Sequence, residues 1–130
     1  MTDDDKKKYK NLFVDTARDY IKEIDDNISL LRKDPNDENV IKKMHIAAHS
    51  VKAQCFMIGY PSLGYFCAAV EKIMREKQEG KLQINTNMLD SVERGVIKAR
   101  SSLMQIEESD KESDLSDEIK LLEKFIKENK

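Results

Sequence analysis

Apolar residues return every three or four positions along almost the whole chain, and that spacing permits little except α-helix. A first stripe runs through Tyr9, Phe13, Thr16, Ala17, Tyr20, Ile24, Ile28 and Leu31. At a rise of about 1.5 Å per residue it predicts a helix roughly 35 Å long, the scale of a helix bundle. Asp34-Pro35-Asn36-Asp37 ends it: proline cannot continue the preceding helix but suits the first turn of the next, where Asp and Asn can take up free N–H groups. A second stripe, from about Asp37 to Ile58, holds Val40, Met44, Ala47, Ala48, Val51, Cys55 and Ile58, and Gly59 with Pro61 closes it. From Pro61 a third carries Leu63, Phe66, Cys67, Val70, Ile73 and Met74 up to Gly80, a residue suited to the left-handed turn past a helix end.

The fourth stripe, from Asn85 or Thr86 to Glu108, sets Met88, Leu89, Val92, Val96, Ala99, Leu103 and Ile106 at near-heptad spacing. Gly95 lies inside it. A mid-helix glycine costs about 1 kcal/mol relative to alanine, so the position is either tolerated or used for close approach of a neighbouring helix. Glu107 to Asp114 reads as a solvated connection to a last stripe of Leu115, Ile119, Leu122, Phe125 and Ile126. The fold expected is all-α: an up-down four-helix bundle over about residues 9–108, with a short C-terminal helix over about 114–129 that caps it or extends the surface of the fourth helix. Residues 1–130 would form one domain, since 130 residues suffice for one core and little more.

Composition narrows the function. Lys plus Arg (23) nearly balances Asp plus Glu (25), and a net charge of −2 predicts no general attraction to nucleic acid or to anionic lipid. No apolar run approaches the ~20 residues needed to cross a bilayer, and Met1 to Lys10 is polar throughout, so a cytoplasmic location is expected. Cys55 and Cys67 both fall on apolar stripes and read as reduced core residues. The glycines at 59, 64, 80 and 95 form no phosphate-cradling GxxxxGK[ST], GxGxxG or kinase loop, and GxSxG is absent, so no ATP site is expected. His45 and His49 stand one turn apart but lack the glutamate of HExxH and a third ligand, so no metal site is expected.

One stripe is left over. His45, His49, Lys52 and Phe56 share a face of the second helix, at the edge of its buried seam, while Val51 and Cys55 point elsewhere. An exposed imidazole with a lysine one turn away suits a nucleophile that receives phosphate. The same spacing also describes ordinary polar residues on a solvated face.

The local motif adds to this. Ala48-His49-Ser50-Val51-Lys52 followed by Gly59 resembles the signature of the histidine phosphotransfer (Hpt) domain family, in which Lys follows His by three residues and Gly by ten. The resemblance runs from about Leu12 to Ile106. Leu12-Phe13 and Ala17, Asp34-Pro35, Ala47 to Lys52 and Val70-Glu71 are most similar to the N-terminal phosphotransfer domains of CheA-type chemotaxis kinases, and the last stripe matches the extra helix of that subfamily. The resemblance implies that His49 is the phosphoacceptor, that Glu71 accepts the Nδ1 proton and leaves Nε2 as the nucleophile, and that Lys52 orients or screens the phosphoryl group. It implies as partners a histidine-kinase catalytic domain and CheY-like or CheB-like receiver domains. The chain itself would carry no cofactor, with Mg and ATP belonging to the partners.

Two positions depart from the pattern. Ala53 stands where the family usually has Gly directly after the lysine, and Ala68 where CheA-type members often carry His three residues before the glutamate. These put docking and one hydrogen-bond partner in question, and His45 is the imidazole that could compensate. Phe56, Met57 and Tyr60 lie one to three turns beyond His49 and either form an apolar docking patch or close the bundle end. Phe56 and Met57, with His45, Ala53 and Gly59, make up the expected docking surface. The parent is read as a CheA-type kinase. The alternatives are a free-standing phosphorelay protein and a helical docking module for receivers that carries no phosphate.

Overall fold

In a computed structural model, residues 2–129 are described; Met1 and Lys130, which the single-domain reading includes, lie outside the described residues. They form five α-helices: α1 (Asp3–Lys33), α2 (Glu38–Ile58), α3 (Pro61–Gln78), α4 (Thr86–Ser109) and α5 (Ser116–Glu128). Each boundary has a local cause. Thr2 and Asp5 form a capping box that starts α1, with Asp3, Asp4 and Asp5 placed favourably at the positive end of the helix dipole. The Asp37 carboxylate accepts from the Asn39 and Val40 N–H groups at 3.1 and 3.2 Å and starts α2. Gly59, at φ 100°, turns the chain out of α2, and Gly80 is left-handed just beyond α3. Asn85 caps α4 by accepting from Met88 N–H.

α1 therefore begins about two turns before the first apolar stripe and before the expected bundle start at residue 9. Those turns carry no core residue, so the period could not show them, whereas Thr2-x-x-Asp5 is a start signal in its own right. Lys10 ties this extension to the far end of α4, reaching Asp110 at 2.8 Å. Within α1 the buried face is rotated slightly from the expected one: Val14, Ile21 and Asn27 are buried, Thr16 and Tyr20 half-buried, and Tyr9 exposed.

α2 packs on α1 and α3, and α1 also packs on α4. α5 lies against both α3 and α4, so it covers a side of the bundle and not an end. Its Leu122 and Ile126 join one buried cluster to which all five helices contribute. Phe66 of α3 fills the centre: a Cβ at Gly95 of α4 would stand 2.1 Å from its Cε1 atom, so the mid-helix glycine makes room for that ring. Cys55 and Cys67 are free and buried, as expected.

The connection between α4 and α5 is shorter and less solvated than its polarity predicts. Residues 107–109 remain in α4, which Asp110 stops at φ 63°. The Glu112 carboxylate accepts from the Ser62 and Leu63 N–H groups at 3.1 and 2.9 Å and thereby caps α3 from about fifty residues away. Tyr60, the residue at that helix end, supplies no side-chain cap.

Candidate functional site

α2 and α3 run antiparallel, joined by the tight Gly59–Pro61 turn, and the side chains on their shared outer edge meet in pairs. His49 Nδ1 stands 2.6 Å from Glu71 Oε2. Lys52 Nζ donates to Glu71 Oε1 at 2.8 Å, and Arg75, one turn further along α3, brings a guanidinium nitrogen within 3.5 Å of that oxygen. The structure thus brings together the three residues of the expected chemical core and adds Arg75, which sequence reasoning missed. Its signal was the Glu-to-Arg spacing of four on one helix, the favourable orientation for such a pair.

The burial of the members differs sharply. The Glu71 side chain is 5% exposed, Lys52 24% and His49 61%. Burial by itself raises the Glu71 carboxyl, but the hydrogen bonds from Lys52 and His49 and their charges outweigh it and hold the group below the usual carboxylate range. Glu71 is therefore ionised near neutral pH and can only accept. The imidazole nitrogen facing it must carry a proton, so neutral His49 is the Nδ1–H tautomer and its lone pair sits on Nε2. Such a ring is a nucleophile fixed in orientation, with a carboxylate ready to offset positive charge that develops on it.

His45 is arranged similarly but more weakly. Its Nδ1 lies 2.8 Å from Gln78 Oε1, a neutral acceptor that sequence reasoning also missed, and among the described residues no carboxylate or lysine joins the pair. Because the helices are antiparallel, His45 flanks His49 on the side opposite Ala68. It is paired with Gln78 and not placed where an imidazole at position 68 would stand.

The expected docking residues do not form one patch. Ala53 and Gly59 are exposed, the latter as the turn residue that ends α2. Phe56 leans towards α3, lies over Gly64 and meets Tyr65 edge-on at 5.1 Å. Met57 turns the other way and, 84% exposed, lines a groove between α1 and α2 with Tyr9, Leu12 and Tyr60. Tyr60 stacks on Phe13 at 5.6 Å and closes that end of the core. Among the described residues no group of three metal-ligating side chains converges, and no helix is long and apolar enough to cross a membrane.

Comparison with known proteins supplies the family and the fold. Residues 8–123 match the Hpt domain family. The chain belongs to that family. Among its relatives are the chemotaxis protein CheA of Bacillus subtilis strain 168, 24% identical over 86 residues, and CheA of Borreliella burgdorferi, 28% identical over 79. The matches cover 66% and 61% of this chain but 13% and 9% of those two proteins. The solution structure of the histidine phosphotransfer domain of CheA superposes with a TM-score of 0.81 and 25% identity, covering 92% of this chain and 90% of that one. This is an Hpt domain, similar in sequence and fold to the phosphotransfer domain of CheA, with the all-helical bundle that its periodicity predicts.

Proposed function

We propose that this Hpt domain is a phosphocarrier of chemotaxis signalling in which His49 Nε2 takes a phosphoryl group from ATP held by a histidine-kinase catalytic domain and passes it to a receiver aspartate. The Nε2 lone pair attacks the γ-phosphorus, the N–P bond forms as the P–O bond to ADP breaks, and the ring, still protonated at Nδ1, becomes cationic. Glu71 offsets that charge, and Lys52 offers its ammonium to the phosphoryl oxygens. In the second step a receiver aspartate oxygen attacks the same phosphorus, the N–P bond breaks, and the imidazole returns to its neutral form. Transfer of this kind depends on in-line positioning and charge compensation, so a rigid bundle presenting one oriented ring suffices on this side. ATP and magnesium belong to the partners.

The observation that carries this reading is the 2.6 Å contact from His49 Nδ1 to a buried, ionised Glu71 beneath a largely exposed ring. Similarity to CheA favours a CheA-type parent, CheY-like or CheB-like receivers, and action in the cytoplasm. The test mixes the protein with a CheA-type kinase catalytic domain and labelled ATP and follows acid-labile, alkali-stable phosphate in wild type, His49→Gln and His45→Gln. Label lost in His49→Gln alone, and discharged from wild type by a receiver, is the result expected. An unlabelled wild type, with a kinase active on another substrate and a phosphorylated receiver also failing as donor, leaves a docking module without phosphate.

A further inference from the structure

The phosphocarrier reading asks two things of Lys52 at once. Its ammonium is already committed to Glu71 Oε1 at 2.8 Å, yet it is the cation nearest in sequence to the phosphoryl group that His49 would carry. A carboxylate with 5% exposure cannot be left without a counter-ion while that ammonium turns outward to the incoming phosphate and the His49 ring is still neutral: an uncompensated buried charge would neutralise itself by taking a proton. A protonated Glu71 would no longer hold the Nδ1 proton of His49, and the ring would lose its tautomer before attack and its charge partner as it becomes cationic.

Arg75 answers this difficulty. Its guanidinium stands 3.5 Å from the same Oε1, too long for a hydrogen bond but close enough to become one with a small rotation. The side chain is 46% exposed, and Glu71 is its one ion-pair partner among the described residues. Glu71 and Arg75 share one helix at a spacing of four, so the approach needs no backbone movement. An arginine stays charged at any working pH and offers five donors in a fixed fork. Around the carboxylate, α2 contributes His49 and Lys52 and α3 contributes Arg75.

We propose that Arg75 is the reserve counter-ion of Glu71: it takes over Oε1 when the Lys52 ammonium leaves for the phosphoryl oxygens, and so keeps the His49 tautomer fixed throughout transfer. It is a positioning residue, acting through Glu71 and not on the phosphoryl group. The inference rests on the phosphocarrier reading, but its decisive consequence is visible without phosphate, because removing Lys52 reproduces the state in which the ammonium has departed.

The test compares wild type, Lys52→Ala, Arg75→Gln and Lys52→Ala/Arg75→Gln by the ¹⁵N shifts of the His49 ring and the ¹³C titration of the Glu71 carboxyl. Either single variant keeps the Nδ1–H tautomer. The double variant mixes the tautomers, and its Glu71 midpoint rises by about one pH unit or more beyond the sum of the single shifts, a tenfold or larger coupling. Lys52→Ala/Arg75→Lys restores the tautomer. If the double variant fails to fold, adding Glu71→Gln must restore folding by removing the stranded charge. The proposal is overturned if the double variant matches Lys52→Ala in tautomer and midpoint, if Arg75→Lys rescues nothing, or if Glu71→Gln leaves a misfolded double variant misfolded. Wild-type protein that takes no label from kinase or receiver sinks the carrier reading itself, whatever the titrations give.

Discussion

Glu71→Gln separates the charge of this side chain from its shape. The amide keeps the length of the side chain and a carbonyl oxygen for the Nδ1 proton 2.6 Å away, so the resting tautomer survives. The negative charge that would face the ring once phosphorylation makes it cationic is lost. A hydrogen bond to an ionised partner is worth about 1.5–3 kcal/mol against about 0.5–1.5 for a neutral one. The difference, roughly 1–1.5 kcal/mol, falls on the phosphorylated form and the transition state leading to it, and corresponds to about a tenfold slower reaction. Glu71→Ala removes the acceptor as well and costs roughly 100-fold, in the range seen when a histidine loses its orienting partner. Glu71→Gln should lose some stability near neutral pH, since pairing with Lys52 and His49 outweighs the burial of the charge, but the loss stays below about 3 kcal/mol because Lys52, with 24% exposure, can reach water. Initial rates of label incorporation from a CheA-type catalytic domain, read beside urea melts, check both halves. Wild-type rates in Glu71→Gln would refute the electrostatic role given to the carboxylate. A stability loss above about 3 kcal/mol would refute the reasoning that its cation partners stay solvated.

Further outcomes follow from the packing and the charges. Because Glu71 titrates lower in the folded protein than in the unfolded chain, it contributes stability that is fully present above the unfolded value of about 4.3 and is lost as pH falls through the folded one; urea melts from pH 7 to pH 3 should show this loss, shallower in Glu71→Gln. Gly95→Ala places a methyl group 2.1 Å from the buried Phe66 ring and should destabilise by about 1–3 kcal/mol despite better helix propensity, measured by urea melts. Glu112→Ala frees the Ser62 and Leu63 N–H groups and should cost about 1 kcal/mol, seen as raised amide exchange in the first turn of α3. Cys67, its thiol pushed up to about 12 by burial, should react with a thiol reagent only through unfolding, so the rate should rise with urea.

Much of this was legible in the sequence because helical packing repeats at a short period. The apolar stripes of α2, α3 and α4 name residues that are all buried or half-buried, and Pro61 and Asn85 mark helix starts within a residue or so. The core of the site was legible for a different reason: His49 and Lys52 share one helix face, and the family motif supplied Glu71 across the groove. What the period could not show is pairing between helices. Gln78 matters only because α3 runs antiparallel to α2, Arg75 only because its own-helix partner Glu71 is the residue that faces His49, and Glu112 caps a helix start far from it in sequence. Phe56 and Met57, adjacent in the chain, diverge to opposite sides of α2 because successive helical residues are rotated by about 100°. The first turns of α1 hold no apolar residue, so only their capping chemistry could have announced them.

The most direct test of the account is the atom that carries the phosphoryl group. After labelling by a CheA-type kinase catalytic domain, ³¹P–¹⁵N correlation on ring-labelled protein should place phosphorus on Nε2 of His49, with Nδ1 still protonated against Glu71. Phosphorus on Nδ1 of His49, or on either nitrogen of His45, would contradict it.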